Sequence, residues 1–160
     1  MLVYRITHKA YSQSLFAPGL AGRWNGAGRK VIYTAESIPL AFMENLIRRK
    51  GLGFNDDFRI MILELPDTLA ITEIATGSLA AGWRDITDYS ICQQAGNAWY
   101  DGAGTPVLKV PSAVVPTNFN YVLHYLHPDF TQVKLITTMP LIPDDRIEDL
   151  LKNYVPPAKQ

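Results

Sequence analysis

Strand-like and helix-like segments follow one another in this chain without a regular alternation, and this order limits the folds available to it. The apolar segments with strand character are 2–7, 30–35, 58–65, 105–110 and 133–137. The segments with helical character are 38–50, 87–100 and 144–151, the first of them capped by Ser37. A doubly wound parallel sheet needs strands and helices to alternate, so the order favours an α+β fold.

Length and composition indicate one globular domain spanning 1–160. The chain has 48% hydrophobic and 19% charged residues, which is typical of a chain with a sizeable core. Fifteen basic and fifteen acidic residues give zero net charge, which argues against a dedicated nucleic-acid-binding protein. No apolar run approaches the ~18 residues of a membrane span, and the first residues read as a strand rather than a secretory leader. We therefore expect no direct nucleic-acid partner and no membrane partner.

Cysteine and histidine usage limits the chemistry further. Cys92 is alone, so an intrachain disulfide is excluded and a reducing, cytoplasmic location is expected. His8, His124 and His127 are scattered and lack the spacing of a Cys/His metal site. We expect no metal.

The densest candidate for a ligand site is the run 22–30, Gly-Arg-Trp-Asn-Gly-Ala-Gly-Arg-Lys, directly before a strand. Glycines allow close approach of the backbone to a ligand, and arginine binds anionic oxygens with a planar fork. Arg23, with Arg29 or Lys30, would bind phosphate, and Trp24 would stack on a ring. The run matches neither a Walker loop nor the dinucleotide fingerprint. An exposed loop with solvated charges is the alternative.

Glu44 is the most informative acidic residue. On a helix it shares a face with Leu40, Ala41 and Ile47, so it is buried if that face meets the core. Buried carboxylates are usually paired with a cation or used in a site, and Arg23 is the candidate cation. The alternative is a glutamate at the helix edge, reaching water.

Three further residues stand at strand positions suited to a site. Tyr33 lies near the end of a strand and offers an aromatic face with a polar tip, although core packing is its commoner role. Ser112 follows a strand and a rigid proline, and without a Gly-x-Ser-x-Gly motif it fits hydrogen bonding better than acyl transfer. Arg5 interrupts an apolar strand and points either to solvent or to an anion.

Together these residues resemble one family, the RES-domain toxins of bacterial toxin–antitoxin pairs. The family is named for an arginine, a glutamate and a serine, which correspond here to Arg23, Glu44 and Ser112. The resemblance covers residues 3 to about 137. Its other matching stretches are Tyr4-Arg5, the segment 31–37, the segment 114–116, Asn120-Tyr121 and His127-Pro128.

The resemblance implies a fold, a reaction and a partner. RES domains are similar to ADP-ribosyltransferases, whose split, mainly antiparallel sheet with flanking helices holds NAD⁺ in a cleft. They consume NAD⁺ as substrate by phosphorolysis or hydrolysis, and some relatives modify a protein instead. The implied partner is an Xre-type helix-turn-helix antitoxin in a hetero-oligomer that covers the active site.

The resemblance also implies roles for individual residues. Arg23, Glu44 and Ser112 are the expected catalytic residues, and Ser112 is expected to position a ribose hydroxyl or the incoming acceptor. Arg5, Thr7, Arg23, Trp24 and Tyr33 are the expected dinucleotide-binding residues, with Arg5 at the nicotinamide end. Thr7 stands where relatives carry a small residue such as glycine.

Two other kinds of function stay open on the sequence. A binding module would hold NAD⁺ without releasing nicotinamide. A hydrolase with two carboxylates would combine Glu44 with Glu36 or Glu64 across a cleft.

Overall fold

The computed structural model describes residues 1–153, whose strands form one seven-stranded sheet. The order across the sheet is β4-β5-β6-β2-β1-β3-β7, and every pairing is antiparallel except β4 with β5. The strands are β1 (Leu2–His8), β2 (Val31–Ala35), β3 (Phe58–Glu64), β4 (Ile71–Glu73), β5 (Val107–Pro111), β6 (Phe119–His124) and β7 (Lys134–Pro140). The helices are α1 (Ile38–Arg48), α2 (Ser90–Gly102) and α3 (Asp145–Asn153). The predicted α+β class is confirmed.

The sequence missed two strands. β6 lies in the middle of the sheet, where Val122 and Leu123 are fully buried. Asn118 and Asn120 interrupt the apolar pattern of this segment, and asparagine is depleted in strands. β4 has three exposed residues and owes its strand conformation to pairing with β5. The sequence also predicts a polar, proline-containing tail at 155–160, and these residues lie outside the described part of the chain.

The hydrogen-bonded ladder is nearly interrupted between β1 and β2, and this divides the sheet into two half-sheets. β1 pairs with β3 over seven residue pairs, and β2 pairs with β6 over five. β1 and β2 are joined by the single pair Tyr4–Ala35. The first half-sheet is therefore β7-β3-β1 and the second is β2-β6-β5-β4. The split, mainly antiparallel sheet that the resemblance implies is confirmed.

Helix α1 covers the junction of the two half-sheets. Ser37 Oγ accepts a hydrogen bond from the Leu40 amide at 3.3 Å, so the predicted N-cap is confirmed. The helix buries Leu40 and Leu46 in a cluster with apolar residues of β1, β2 and β3. Each such side chain contributes roughly 1.5–3 kcal/mol through its burial. Asn45 Nδ2 donates to the carbonyl of Ile6 at 2.9 Å, which attaches the helix to β1 just beyond the junction.

Helix α2 packs against the second half-sheet and against the glycine-rich run. Its buried residues, Cys92 and Trp99 among them, form a cluster with Trp24 and apolar residues of β2, β5 and β6. Gly96 faces the backbone of Trp24 so closely that an added Cβ would lie 1.8 Å from the Trp24 carbonyl oxygen. Only a residue without a side chain permits this contact.

Among the helices of residues 1–153, none combines the length and apolar character that a membrane crossing requires. In the same residues, no three His, Cys, Asp or Glu side chains come together as a metal site needs.

The contact at Gly96 generates a stability prediction. We expect Gly96→Ala to lower the free energy of unfolding by about 2 kcal/mol or more, since the helix must move away from the Trp24 carbonyl. Gly102→Ala, in the same helix, is the matched control because a Cβ there meets no atom within 4 Å. It should leave stability unchanged or raise it by up to about 1 kcal/mol. Urea denaturation measures both, and equal stabilities for the two variants would contradict the packing.

Candidate active site at the split of the sheet

The three glycine amides of the run donate within the protein and are not presented to a ligand. The run is closed by three bonds: Gly22 N–H to Asn25 O (2.9 Å), Gly26 N–H to Asn97 Oδ1 (2.8 Å) and Gly28 N–H to Gly19 O (2.8 Å). A phosphate cradle needs backbone N–H groups that point at the ligand. The expectation of such an approach through these glycines is therefore wrong, and the run serves to hold its side chains in place.

Asn25 is the centre of this loop, and the sequence analysis gave it no role. It is fully buried, and its Nδ2 donates to the carbonyls of Leu20 (2.9 Å) and Gly26 (3.1 Å). Its Oδ1 accepts from the Tyr33 hydroxyl at 2.7 Å, and that hydroxyl accepts from the Trp24 amide at 2.9 Å. These bonds fix the loop to β2. A fully buried asparagine with its donors and acceptor paired marks a structural hub.

Two side chains of the run lie where they cannot act as predicted. The Trp24 indole is only 2% exposed and belongs to the core beneath α2, so its predicted stacking on a ligand ring is wrong. Arg29 forms a bidentate ion pair with Asp101 on α2, at 3.0 and 2.6 Å, instead of joining Arg23. The Lys30 side chain is exposed, while its amide donates to the Tyr100 hydroxyl at 3.1 Å.

A loop at 83–89 holds the side chain of Arg23, the first cation of the run. Its Nη1 donates to the Trp83 carbonyl at 2.8 Å and its Nη2 to the Asp85 carbonyl at 2.9 Å. Its Cζ lies 4.3 Å from the centre of the Tyr89 ring, a cation–π distance. These contacts use two of the five N–H donors of the guanidinium. The side chain is therefore oriented before any anion arrives.

Glu44, Ser112 and Asn120 form a compact hydrogen-bonded group. The Ser112 hydroxyl donates to Glu44 Oε1 at 2.7 Å, and Asn120 Nδ2 donates to the same oxygen at 2.6 Å. Among the described residues nothing donates to Glu44 Oε2. The carboxylate is thus held through one of its two oxygens. The sequence analysis quoted Asn120 only as part of a matching stretch and missed this contact.

The Ser112 hydroxyl has no remaining hydrogen-bonding capacity. It donates once, to Glu44, and accepts from the amides of Val114 (3.1 Å) and Val115 (2.9 Å). One donor and two acceptor positions are all that a serine hydroxyl has. Ser112 is also fully buried. The geometry therefore fits orientation of Glu44, and it does not fit the predicted contact of Ser112 with a ribose hydroxyl or an acceptor.

The position of Glu44 on its helix differs from the prediction in two respects. Leu40 and Ala41 are buried as expected, but Ile47 is 57% exposed because the last turn of α1 extends beyond the core. Glu44 is therefore half-buried, at the edge of the packed face. Its partners are neutral donors on the second half-sheet, so the predicted pairing with Arg23 is wrong.

The Glu44 group and the Arg23 group lie on the same side of the second half-sheet. In the β2–β6 register, Tyr33 is opposite Val122 and Ala35 is opposite Asn120. Residues two apart on a strand share a face and are separated by about 7 Å. Tyr33, which holds the Arg23 loop, and Asn120, which holds Glu44, are therefore neighbours on one surface.

The loop that binds Arg23 also contacts the serine turn. Arg84 lies between the two carbonyls that accept from Arg23, and its Nε donates to the carbonyl of Ala113 at 3.0 Å. Ala113 follows Ser112 directly. Arginine, glutamate and serine from distant parts of the sequence are thus tied into one site.

Arg5 and Thr7 stand across the split, on β1. Arg5 follows the Tyr4–Ala35 pair directly, so it lies where the half-sheets separate, and Thr7 is two residues further on the same face of β1. Burial, followed by the positive charge of Arg48, lowers the pKa of Arg5 to about 10. No carboxylate within residues 1–153 forms an ion pair with Arg5. A poorly solvated guanidinium in this state is stabilised by an anionic ligand.

Tyr33 experiences the same positive environment from the other side of the split. Burial raises the pKa of its hydroxyl, although the Trp24 amide and the charges of Arg23 and Arg48 act in the opposite direction. The hydroxyl therefore stays protonated at physiological pH. It serves as a structural hydrogen-bond donor to Asn25, and the ring is the part of Tyr33 suited to contact a ligand.

Comparison with known proteins places this architecture in a family. The family model described as "RES domain" matches residues 2–145. The chain therefore belongs to the RES-domain family, and the resemblance inferred from Arg23, Glu44 and Ser112 is confirmed.

Individual relatives agree with this assignment. The chain is 32% identical over 151 residues to a protein of Pseudomonas putida named Toxin Res, covering 92% of this chain and 99% of that protein. It is 33% identical over 115 residues to a Sphingobium protein named Prs ADP-ribosylating toxin, covering 71% of each. A chain in the crystal structure of the M. tuberculosis MbcT–MbcA toxin–antitoxin complex shares the fold, with a TM-score of 0.72 at 22% identity, covering 95% of this chain and 89% of that one.

The saturated hydroxyl of Ser112 generates a second stability prediction. We expect Ser112→Ala to lower the free energy of unfolding by about 1–3 kcal/mol, because two buried amides lose their acceptor. Ser14→Ala, at an exposed serine, is the control and should stay within about 0.5 kcal/mol of the wild type. Chemical denaturation of the three proteins measures the difference, and an unaltered Ser112→Ala protein would be inconsistent with the observed bonds.

Proposed function

We propose that this protein is the toxin of a bacterial toxin–antitoxin pair and that it breaks the nicotinamide–ribose bond of NAD⁺ in the cytoplasm. Membership of the RES-domain family and the names of its relatives support the toxin role. The proposed reaction rests on one observation. The fixed guanidinium of Arg23, the fixed carboxylate of Glu44 and the ring of Tyr33 come together beside the split of the sheet.

The chemistry of this bond defines what the site must supply. When the glycosidic C–N bond breaks, its electron pair moves to the nicotinamide nitrogen, which loses its positive charge. The ribose carbon becomes electron-poor and has oxocarbenium character until an acceptor oxygen attaches. The acceptor releases one proton as the new bond forms. Negative charge near the ribose and firm binding of the phosphates both favour this step.

Each proposed role follows from a contact described above. Glu44 presents its second oxygen to the electron-poor ribose carbon and stabilises the positive charge that develops there. Ser112 and Asn120 are positioning residues, since both hold the first oxygen of Glu44. Arg23 directs its remaining N–H groups to the pyrophosphate, and the Tyr33 ring limits the movement of the nicotinamide.

The acceptor decides which product forms. Water would give ADP-ribose, and inorganic phosphate would give ADP-ribose-1″-phosphate. A second candidate function, transfer of ADP-ribose to a host protein, is favoured by the Sphingobium relative named as an ADP-ribosylating toxin. All three reactions break the same bond, so the same residues serve each of them.

The proposed partner is an Xre-type antitoxin that covers the site in a hetero-oligomer. The toxin–antitoxin complex that contains the structural neighbour supports a protein partner for this fold. Coexpression and copurification with the product of an adjacent helix-turn-helix gene, together with loss of NAD⁺ turnover in the complex, would test this partner.

The deciding experiment is incubation of the purified protein with NAD⁺, with and without inorganic phosphate, followed by chromatography. We expect nicotinamide release without any protein acceptor, and the second product identifies water or phosphate as the acceptor. Release only after a host-cell lysate is added would favour the transferase. Saturable NAD⁺ binding with no nicotinamide release would contradict both enzymatic proposals.

Glu44 provides the sharpest activity prediction. Glu44→Gln keeps the shape of the side chain but removes its charge, so we expect the rate of nicotinamide release to fall about 10²-fold or more. Glu148→Gln makes the same change at a half-buried glutamate of α3, which pairs with Lys152, and serves as the control. Circular dichroism confirms that both variants fold. Nicotinamide release by Glu44→Gln at the control's rate would exclude Glu44 as the catalytic carboxylate.

A further inference from the structure

Gln93, near the start of α2, contacts the segment that carries Arg23, and the proposed mechanism does not use it. Its Nε2 donates to the carbonyl of Gly22 at 2.8 Å and to the carbonyl of Asn25 at 3.3 Å. Both partners are acceptors, so only the NH₂ group of the glutamine amide can face them. The half-buried side chain therefore joins α2 to two points of the glycine-rich run.

These two points are the ends of one tight turn, residues 22–25, which we call the Arg23 turn. Gly22 and Asn25 form an antiparallel bridge, in which the Gly22 amide donates to the Asn25 carbonyl at 2.9 Å. Arg23 and Trp24 are the two residues between them. The backbone from which the Arg23 side chain projects is thus held by one bond within the turn and by the amide group of Gln93.

The helix places Gln93 on the same face as two other contacts of the turn. Residues three and four apart on a helix are neighbours, so Tyr89, Gln93 and Gly96 lie in one row. The Tyr89 ring lies 4.3 Å from the Arg23 guanidinium, and Gly96 lies against the backbone of Trp24. Gln93 is between these contacts. Helix α2 therefore orients Arg23 at its backbone as well as at its guanidinium.

We propose that Gln93 is a positioning residue for Arg23. It holds the Arg23 turn where the guanidinium reaches the carbonyls of Trp83 and Asp85 and keeps its other N–H groups in one direction. The role rests on the proposed function, in which Arg23 binds the pyrophosphate of NAD⁺. Displacement of a positioned group by about 1 Å can lower a rate about 10²-fold, so the loss of these two bonds has a measurable effect.

The next residue of the helix is a matched control. Gln94 is exposed, and within residues 1–153 its side chain forms no hydrogen bond. Methionine has nearly the length and helix propensity of glutamine but no N–H donor. We expect Gln93→Met to lower kcat/KM for nicotinamide release by about tenfold or more, and Gln94→Met to stay within about twofold of the wild type. Melting temperatures establish that both variants are folded.

A double-mutant cycle shows whether Gln93 acts through Arg23. In an Arg23→Gln protein the positioned group is absent, so adding Gln93→Met should change kcat/KM by less than about twofold. The two single variants should also divide their losses between KM and kcat in the same proportion. An equal loss from Gln93→Met in both backgrounds would show that the residue acts elsewhere, and it would overturn the proposal.

Hydrogen exchange followed by NMR tests the contact without the reaction. The Gly22 amide closes the Arg23 turn, so it should exchange about tenfold faster in Gln93→Met than in Gln94→Met. Equal exchange in the two variants would overturn the positioning role, whatever the enzymatic activity. A wild-type protein that never releases nicotinamide would instead reject the proposed reaction, and the exchange rates would then decide by themselves whether Gln93 holds the turn.

Discussion

The single residue pair Tyr4–Ala35 is the constraint on which the rest of the site depends. A continuous ladder between β1 and β2 would close the sheet and leave no room between its halves. Because the two strands separate after one pair, polar groups of both half-sheets are left beside a gap. Helix α1 holds the gap at a fixed width, since Glu44 is bonded to one half-sheet and Asn45 to the other.

Hydrogen bonds and packing contacts within the protein account for much of the order in this site. Asn25 and Tyr33 fix the loop that carries Arg23, and Gly96 lets α2 press against that loop. Ser112 has every hydrogen-bonding position of its hydroxyl occupied. Each of these buried polar contacts would cost about 1–3 kcal/mol if one partner were removed. The site is therefore rigid before a ligand binds, which favours electrostatic stabilisation of a transition state.

The charged side chains beside the split do not neutralise one another. The carboxylate of Glu44 is held on the second half-sheet by neutral donors, so it does not neutralise the nearby arginines. Arg23 is held by carbonyl oxygens and an aromatic ring, which orient it without cancelling its charge. Arg5 likewise has no carboxylate partner among residues 1–153. Unneutralised cations and a separate anion suit a ligand with phosphate at one place and developing positive charge at another.

The sequence by itself determined the fold class, most of the strands and helices, the capping of α1 by Ser37, and the family through the spacing of Arg23, Glu44 and Ser112. These features are local or combine residue type with order along the chain, which sequence reasoning reads directly. Tertiary structure alone decided that β6 is an inner strand of the sheet, that Trp24 is core and that the glycine amides donate to groups of the protein itself. It also decided that Asn120 shares Glu44 with Ser112. These contacts join residues far apart in the chain, and burial and strand pairing set their partners only once the sheet has formed.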